Sequence, residues 1–127
     1  MPSFGYNSEQ KLKNLHSNLV LILREAIKLY DFTVIETHRG IDEQIKLYEE
    51  GKSKVKASKH NLSPAEAVDI APYPIDWKDT KRFYYLAGII KTLANEHGIA
   101  IRWGGDWDSD NDFADNTFND LPHFEMR

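Results

Sequence analysis

The chain reads as an α+β protein: a small, mainly antiparallel sheet with about three helices packed against one side. Two segments carry apolar residues at three- and four-residue steps, the period of a helix face. Short apolar or β-branched runs at DFTVIETHR (31–39), AVDIAPYP (67–74), IAIRW (99–103) and LPHFEMR (121–127) read as strands. Helices and strands do not alternate regularly, which argues against a doubly wound parallel sheet.

Taken in order, Ser8 is the expected N-cap of a helix over about residues 9–30, with Leu12, Leu15, Leu19, Ile22, Leu23 and Ala26 on one face. After the first strand, Gly40 and Asp42 open a short helix, IDEQIKLYEEG, that Gly51 closes. A polar loop follows, and AVDIAPYP is a strand ended by its prolines. A third helix is predicted from about Asp79 to His97, with Phe83, Leu86, Ile89, Ile90 and Leu93 inward and Gly98 beyond its end. GGDWDSDNDFADNTFND is a long acidic loop before the last strand.

Bulk properties narrow the function. A length of 127 residues suits one domain with one core, and no repeat, linker or second domain is visible, so residues 1–127 are expected to be a single domain. Net charge is −4 with both signs interspersed, which argues against a nucleic-acid binder with a broad basic surface. No apolar run approaches the ~20 residues of a membrane span, and the N-terminus has no secretory h-region. Cysteine is absent, so any metal must be held by histidine and carboxylate.

The stretch SKHNLSPAEAVD (58–69) sets His60 shortly before a strand that carries Asp69. A carboxylate on a half-buried strand needs a partner that offsets its desolvation, and a metal ion is one such partner. Catalytic zinc takes three protein ligands and keeps one open position; His60, Asp69 and His123 are the right residue types. Asp120, three residues before His123 and stiffened by Pro122, could take a proton from a water whose pKa zinc brings near ~7. Glu125 shares a strand face with His123 and suits a group orienting a ligand, or a salt-bridged edge residue. Spacing alone leaves other pairings open, because there are five histidines. His16 reads as a surface or packed helical residue, His97 as a helix C-terminal residue favoured by the dipole, and His38 as a structural or substrate-edge residue.

These residues resemble the zinc D-alanyl-D-alanine carboxypeptidase and L-alanyl-D-glutamate peptidase family, which includes the vancomycin-resistance peptidases and many bacteriophage endolysins. The family's Ser-x-His, Ala-x-Asp and acidic-residue-then-His pattern matches Ser58, His60, Ala67, Asp69, Asp120 and His123. THRGIDEQ resembles its arginine-containing turn, with Arg39 and, five residues on, Gln44. The likeness covers roughly residues 33–127. The loop from His60 to Asp69 is longer than usual and lacks the glycine after the histidine, Gly40 stands where serine or threonine is usual, and His38 stands where an aromatic is frequent.

The resemblance implies a zinc metallopeptidase of the peptidoglycan stem: His60, Asp69 and His123 as zinc ligands, Asp120 as base, and Arg39 and Ser58 as substrate contacts. Trp103 and Trp107 fit either a cleft wall or core packing. Within the family, a bare catalytic domain without an export signal fits a small phage endolysin that cuts the L-alanyl–D-glutamate bond. It is expected to wait as a monomer in the host cytoplasm until the membrane is opened. A D-alanyl-D-alanine carboxypeptidase or dipeptidase and a non-catalytic zinc-binding module are the alternatives, and the ligand set also accepts other divalent ions.

The loop DWDSDNDFAD (106–115) alternates aspartates, and hard oxygen ligands suit calcium. Counted from Asp108 the EF-hand pattern fails, with Phe113 at the sixth position and Asn119 at the twelfth. The expectation is that calcium on Asp108, Asp110 and Asp112 orders the loop, sets Asp120 and switches the enzyme on outside calcium-poor cytoplasm; the alternative is a solvated acidic loop.

Overall fold

The computed structural model describes residues 2–53, 55, 57–111 and 119–127. In chain order the elements are α1 (Tyr6–Leu12), α2 (Ser17–Ala26), β1 (Phe32–Glu36), α3 (Ile41–Glu49), a 3-10 turn (Lys59–Asn61), β2 (Ala67–Pro72), α4 (Thr80–Glu96), β3 (Ile101–Gly104) and β4 (Asp120–Met126). The strands form one sheet in the order β1-β2-β4-β3, and each neighbouring pair is antiparallel. The predicted class, strands and second and third helices are all present. No helix among the described residues is long and apolar enough to cross a membrane.

The first predicted helix is broken in two. The apolar period runs unbroken through Leu12, Leu15 and Leu19, but the backbone of residues 14–16 leaves the helix to pair with Ala65: Ala65 N–H donates to the Asn14 carbonyl (2.9 Å) and His16 N–H to the Ala65 carbonyl (2.8 Å). His16 then caps α2, its Nδ1 accepting from the Asn18 N–H at 3.1 Å. Ser8 is not the N-cap, a place held by Gly5. Ser8 lies buried inside α1, and its hydroxyl accepts the Val34 N–H of edge strand β1 at 3.1 Å. A strand N–H on the free edge needs an acceptor, and here a helix supplies it.

Because side chains alternate across a strand, the sheet has two unlike faces. Val68, Phe124 and Trp103 sit side by side on β2, β4 and β3 and are at most 2% exposed. They pack with Leu19, Ile22 and Leu23 of α2 and Leu86 and Ile90 of α4 into one core. Ile89 and Leu93, expected inward, lie at the partly buried edge, and Ala87 and Ala94 take the central positions instead. The next residues along the same strands, Asp69 opposite His123 and Ala67 opposite Glu125 opposite Arg102, point to the other face. The core row therefore registers the polar row.

The β3–β4 pair ends on an irregularity between Trp103 and Gly104, where Gly104 pairs with Asp120. A Cβ on Gly104 would lie 2.1 Å from the Asp120 carbonyl oxygen, and one on Gly105 would lie 2.4 Å from the Trp103 ring. Only glycine lets the two backbones approach this closely. Gly104→Ala is expected to cost about 1–3 kcal/mol of stability through forced separation of the strand ends, measured by urea unfolding. A stability equal to wild type would show that β4 can shift freely there.

Candidate metal centre and its cleft

Three separate segments meet on the polar face of the sheet: the 3-10 turn brings His60, β2 brings Asp69, and β4 brings His123 and Asp120. The candidate ligand atoms of His60, Asp69 and His123 all lie within 4.8 Å of one another. Asp69 Oδ1 is 3.1 Å from His123 Nδ1 and 3.4 Å from His60 Nε2. The two imidazoles meet edge to face, with centroids 5.2 Å apart. The group forms part of the wall of a cleft of about 610 Å³.

His60 is 2% exposed, and its Nδ1 lies 2.7 Å from the Thr37 carbonyl. A carbonyl only accepts, so Nδ1 carries the hydrogen and Nε2 presents a lone pair. That Nε2 is buried and makes no hydrogen bond among the described residues, and it faces a carboxylate oxygen, another acceptor. Two buried acceptors aimed at one another are costly unless a cation lies between them. The donor set therefore fits a divalent metal.

His123 is anchored in the same manner from its far side, where Nε2 is 2.9 Å from Glu125 Oε1 and Nδ1 faces Asp69. Burial works against its charged form, but hydrogen bonds to Asp69 and Glu125 outweigh burial and push its pKa up to about 9. Burial likewise works against the Asp69 carboxylate, but the hydrogen bond to His123 outweighs it and holds the group well below the usual range. Glu125 lies on the same strand face as His123, and Lys59 is 3.4 Å from its carboxylate.

Asp120 stands at the mouth of the group, with Oδ2 4.0 Å from His123 Nδ1 and a partly exposed side chain. Burial, then the charge of Asp69, raise its pKa above the ordinary aspartate value. A carboxylate with a raised pKa beside a metal-type donor set is suited to exchanging a proton.

Arg39 and Ser58 line the cleft, and both also make hydrogen bonds within the protein. Each guanidinium nitrogen of Arg39 has an acceptor: Nε on Glu36 at 2.9 Å, one terminal nitrogen on Gln44 at 2.6 Å, and the other on Glu36 at 2.5 Å and 3.8 Å from Asp69. Ser58 caps the 3-10 turn, its hydroxyl accepting the His60 N–H at 3.2 Å. Asn61 closes the same turn and donates to the Arg39 carbonyl at 2.8 Å, while Arg39 N–H donates to the His60 carbonyl at 2.8 Å. Both residues thus hold the ligand-bearing turn in place.

Trp107 lines the cleft and lies over the His123 ring at 5.5 Å between centroids, whereas Trp103 is core, its Nε1 donating to the Leu121 carbonyl at 2.8 Å. His38 is exposed, and His97 bonds Glu25 at 2.6 Å. In the acidic loop, Asp106, Asp108 and Asp110 come close enough to share a cation, while Asp112 of the expected trio lies outside the described residues. Asp106 is 1% exposed; its Oδ2 accepts the Asn111 N–H at 2.9 Å and its Oδ1 has no hydrogen-bond partner among the described residues. Sequence reading left Asp106 out of its aspartate trio and missed the Thr37 carbonyl, Glu36 and Arg102. A backbone carbonyl leaves no trace in residue type, but strand alternation around Trp103 does place Arg102 on the polar face.

A mixed α+β scaffold that gathers two histidines and an aspartate on the floor of an open cleft, with a further carboxylate at the rim, has the make-up of a metallohydrolase. The chain belongs to the phage L-alanyl-D-glutamate peptidase family, whose model matches residues 2–127. It is 33% identical over 118 residues to the L-alanyl-D-glutamate peptidase of Escherichia phage T5, covering 88% of this chain and 86% of that protein. It also matches the crystal structure of the Serratia marcescens L-Ala D-Glu endopeptidase ChiX, with a TM-score of 0.80 and 29% identity over 98% of this chain and 89% of that one.

Replacing Arg39 with alanine leaves Glu36 and Gln44 without their shared donor in a largely buried setting. Arg39→Ala is expected to lose about 3 kcal/mol of stability, and Arg39→Lys to recover only part of it because an ammonium lacks the planar fork. Urea titration of both variants checks this; an unchanged midpoint for Arg39→Ala would return Arg39 to the role of substrate contact.

Proposed function

We propose that this protein is a phage endolysin that hydrolyses the L-alanyl–D-glutamate bond of peptidoglycan stem peptides, with zinc held by His60, Asp69 and His123. The observation that carries the metal reading is the buried, unpartnered Nε2 of His60 facing Asp69. The choice of bond follows the relatives, which are L-alanyl-D-glutamate peptidases. Zinc in this site would polarise the scissile carbonyl and make a water nucleophilic at neutral pH. Asp120 takes the proton of the attacking water, which its raised pKa favours, and delivers it to the leaving amine of D-glutamate. Thr37 and Glu125 keep both imidazoles turned toward the centre through their outer nitrogens. Arg39 and Ser58 act as positioning residues, and Trp107 walls the cleft. The enzyme works as a single domain and a monomer, held in the host cytoplasm until the membrane is breached.

Digestion of purified murein decides the bond. Mass spectrometry is expected to show muropeptides with a new amino group on glutamate; release of free D-alanine without stem cleavage would overturn the assignment. Asp120→Ala is expected to keep zinc, measured by elemental analysis, and to lower kcat by ~10²–10⁴-fold, the usual share of general acid–base catalysis. His60→Ala and His123→Ala are expected to lose zinc and activity together. Wild-type lysis by Asp120→Ala would remove the base from the mechanism.

In the same reading, calcium binds the acidic loop on Asp106, Asp108 and Asp110, supported by the orphaned Oδ1 of buried Asp106. Calorimetric titration of zinc-loaded protein is expected to show calcium binding that exposed Asp108→Asn weakens about tenfold, the effect of one charge-assisted contact. Affinity unchanged in Asp108→Asn, or no binding heat, leaves a solvated acidic loop.

A further inference from the structure

Arg24, Arg39 and Arg82 each rest on a carboxylate, those of Glu9, Glu36 and Asp79. Arg102 does not. It sits on β3, lines the cleft beside His123 and Asp120, and its Nε is buried with no acceptor among the described residues. The carboxylate directly across the strand pair is Glu125, where a cross-strand ion pair would ordinarily form. Glu125 is already engaged, by His123 Nε2 at 2.9 Å and by Lys59 at 3.4 Å. A guanidinium with an unmet buried N–H is held at a cost that an arriving anion would offset.

The substrate class supplies such an anion. D-glutamate has one amine and two carboxyl groups. Its amine forms the scissile bond and one carboxyl continues the stem, so the other remains as a carboxylate a few bonds from the leaving nitrogen. Among the described residues, the other cations near the centre are taken: Arg39 by Glu36, and Lys59 by Glu125 and the Met126 carbonyl. Lys52 stands at the outer rim, 68% exposed. A planar guanidinium also matches a carboxylate better than an ammonium does.

We propose that Arg102 is the specificity residue of this cleft, binding the free carboxylate of the D-glutamyl residue on the leaving side of the scissile bond. The inference rests on the L-alanyl–D-glutamate reading. It makes the enzyme sensitive to one chemical change in the wall, amidation of that carboxylate.

The test uses two synthetic stem peptides that differ only in this group, free acid or primary amide, cleaved by zinc-loaded wild type, Arg102→Gln and Arg102→Lys. Wild type is expected to favour the acid by ~10–100-fold in kcat/KM, the worth of a charge-assisted hydrogen-bonded pair. Arg102→Gln is expected to bring that ratio to about 1, with the loss on the acid carried mainly in KM. Arg102→Lys should keep an intermediate ratio. Calorimetry adds a readout independent of turnover: the acid product peptide should bind wild type more tightly than its amide, and Arg102→Gln should erase the difference. A wild-type enzyme that cleaves both peptides equally overturns the inference and leaves the peptidase reading standing. So does an Arg102→Gln that loses the same factor on both peptides, since a merely structural role predicts that. Wild type that cleaves neither overturns the bond assignment and the inference with it. If Arg102→Gln does not fold, an unchanged acid-to-amide ratio in Arg102→Lys overturns the inference.

Discussion

The apposition of Asp69 and His123 across β2 and β4 is the constraint on which the rest of the site depends. Strand pairing sets these two side chains opposite one another on the same face, and one residue of slip would carry both into the core. What prevents slip is the neighbouring row, in which Val68, Phe124 and Trp103 are packed out of solvent. The energy that fixes the polar geometry is thus mostly apolar. Burial of the core row thereby decides which polar side chains share the opposite face.

Around that pair, the supporting contacts come from the outside inward. His60 arrives on a turn rather than a strand, and a turn needs more to hold it. The Thr37 carbonyl fixes the ring, Ser58 and Asn61 cap the turn, and the Arg39 backbone bonds to His60 and Asn61. Ala65, further along the same loop, is tied to the break between α1 and α2. The helix gives up continuity, and the long loop between His60 and Asp69 gains an anchor. The lengthened loop and the broken helix are two sides of one arrangement.

Among the described residues, each arginine and lysine lining the cleft except Arg102 has a carboxylate partner. Arg39 is absorbed by Glu36 and Gln44 and reaches toward Asp69, so it shapes the field at the centre without being free to leave it. Glu125 collects His123 and Lys59. Arg102 is left over because Glu125 has two other donors, which is a consequence of the row of side chains across β2, β4 and β3 and of the 3-10 turn lying beside it. In the acidic loop the opposite holds: Asp106 is buried next to Lys91 at 3.6 Å, yet one of its oxygens is left without a donor.

By itself, the sequence determined the α+β class, the strand positions and the second and third helices, because these rest on local periodicity and on glycine and proline punctuation. It also pointed to His60, Asp69, His123 and Asp120, through several separated motifs in one order, and to Glu125 through the two-residue period of a strand. Tertiary structure alone decided where the first helix breaks, since Leu12, Leu15 and Leu19 keep a helical period that the pairing with Ala65 overrides. It alone showed Arg39 and Ser58 bonded to the ligand-bearing turn, and left Arg102 lining the cleft. The physical reason is common to all three. Periodicity and residue type report what a side chain can do, whereas which donor meets which acceptor depends on segments far apart in the chain, and a carboxylate satisfied by one partner is no longer open to another.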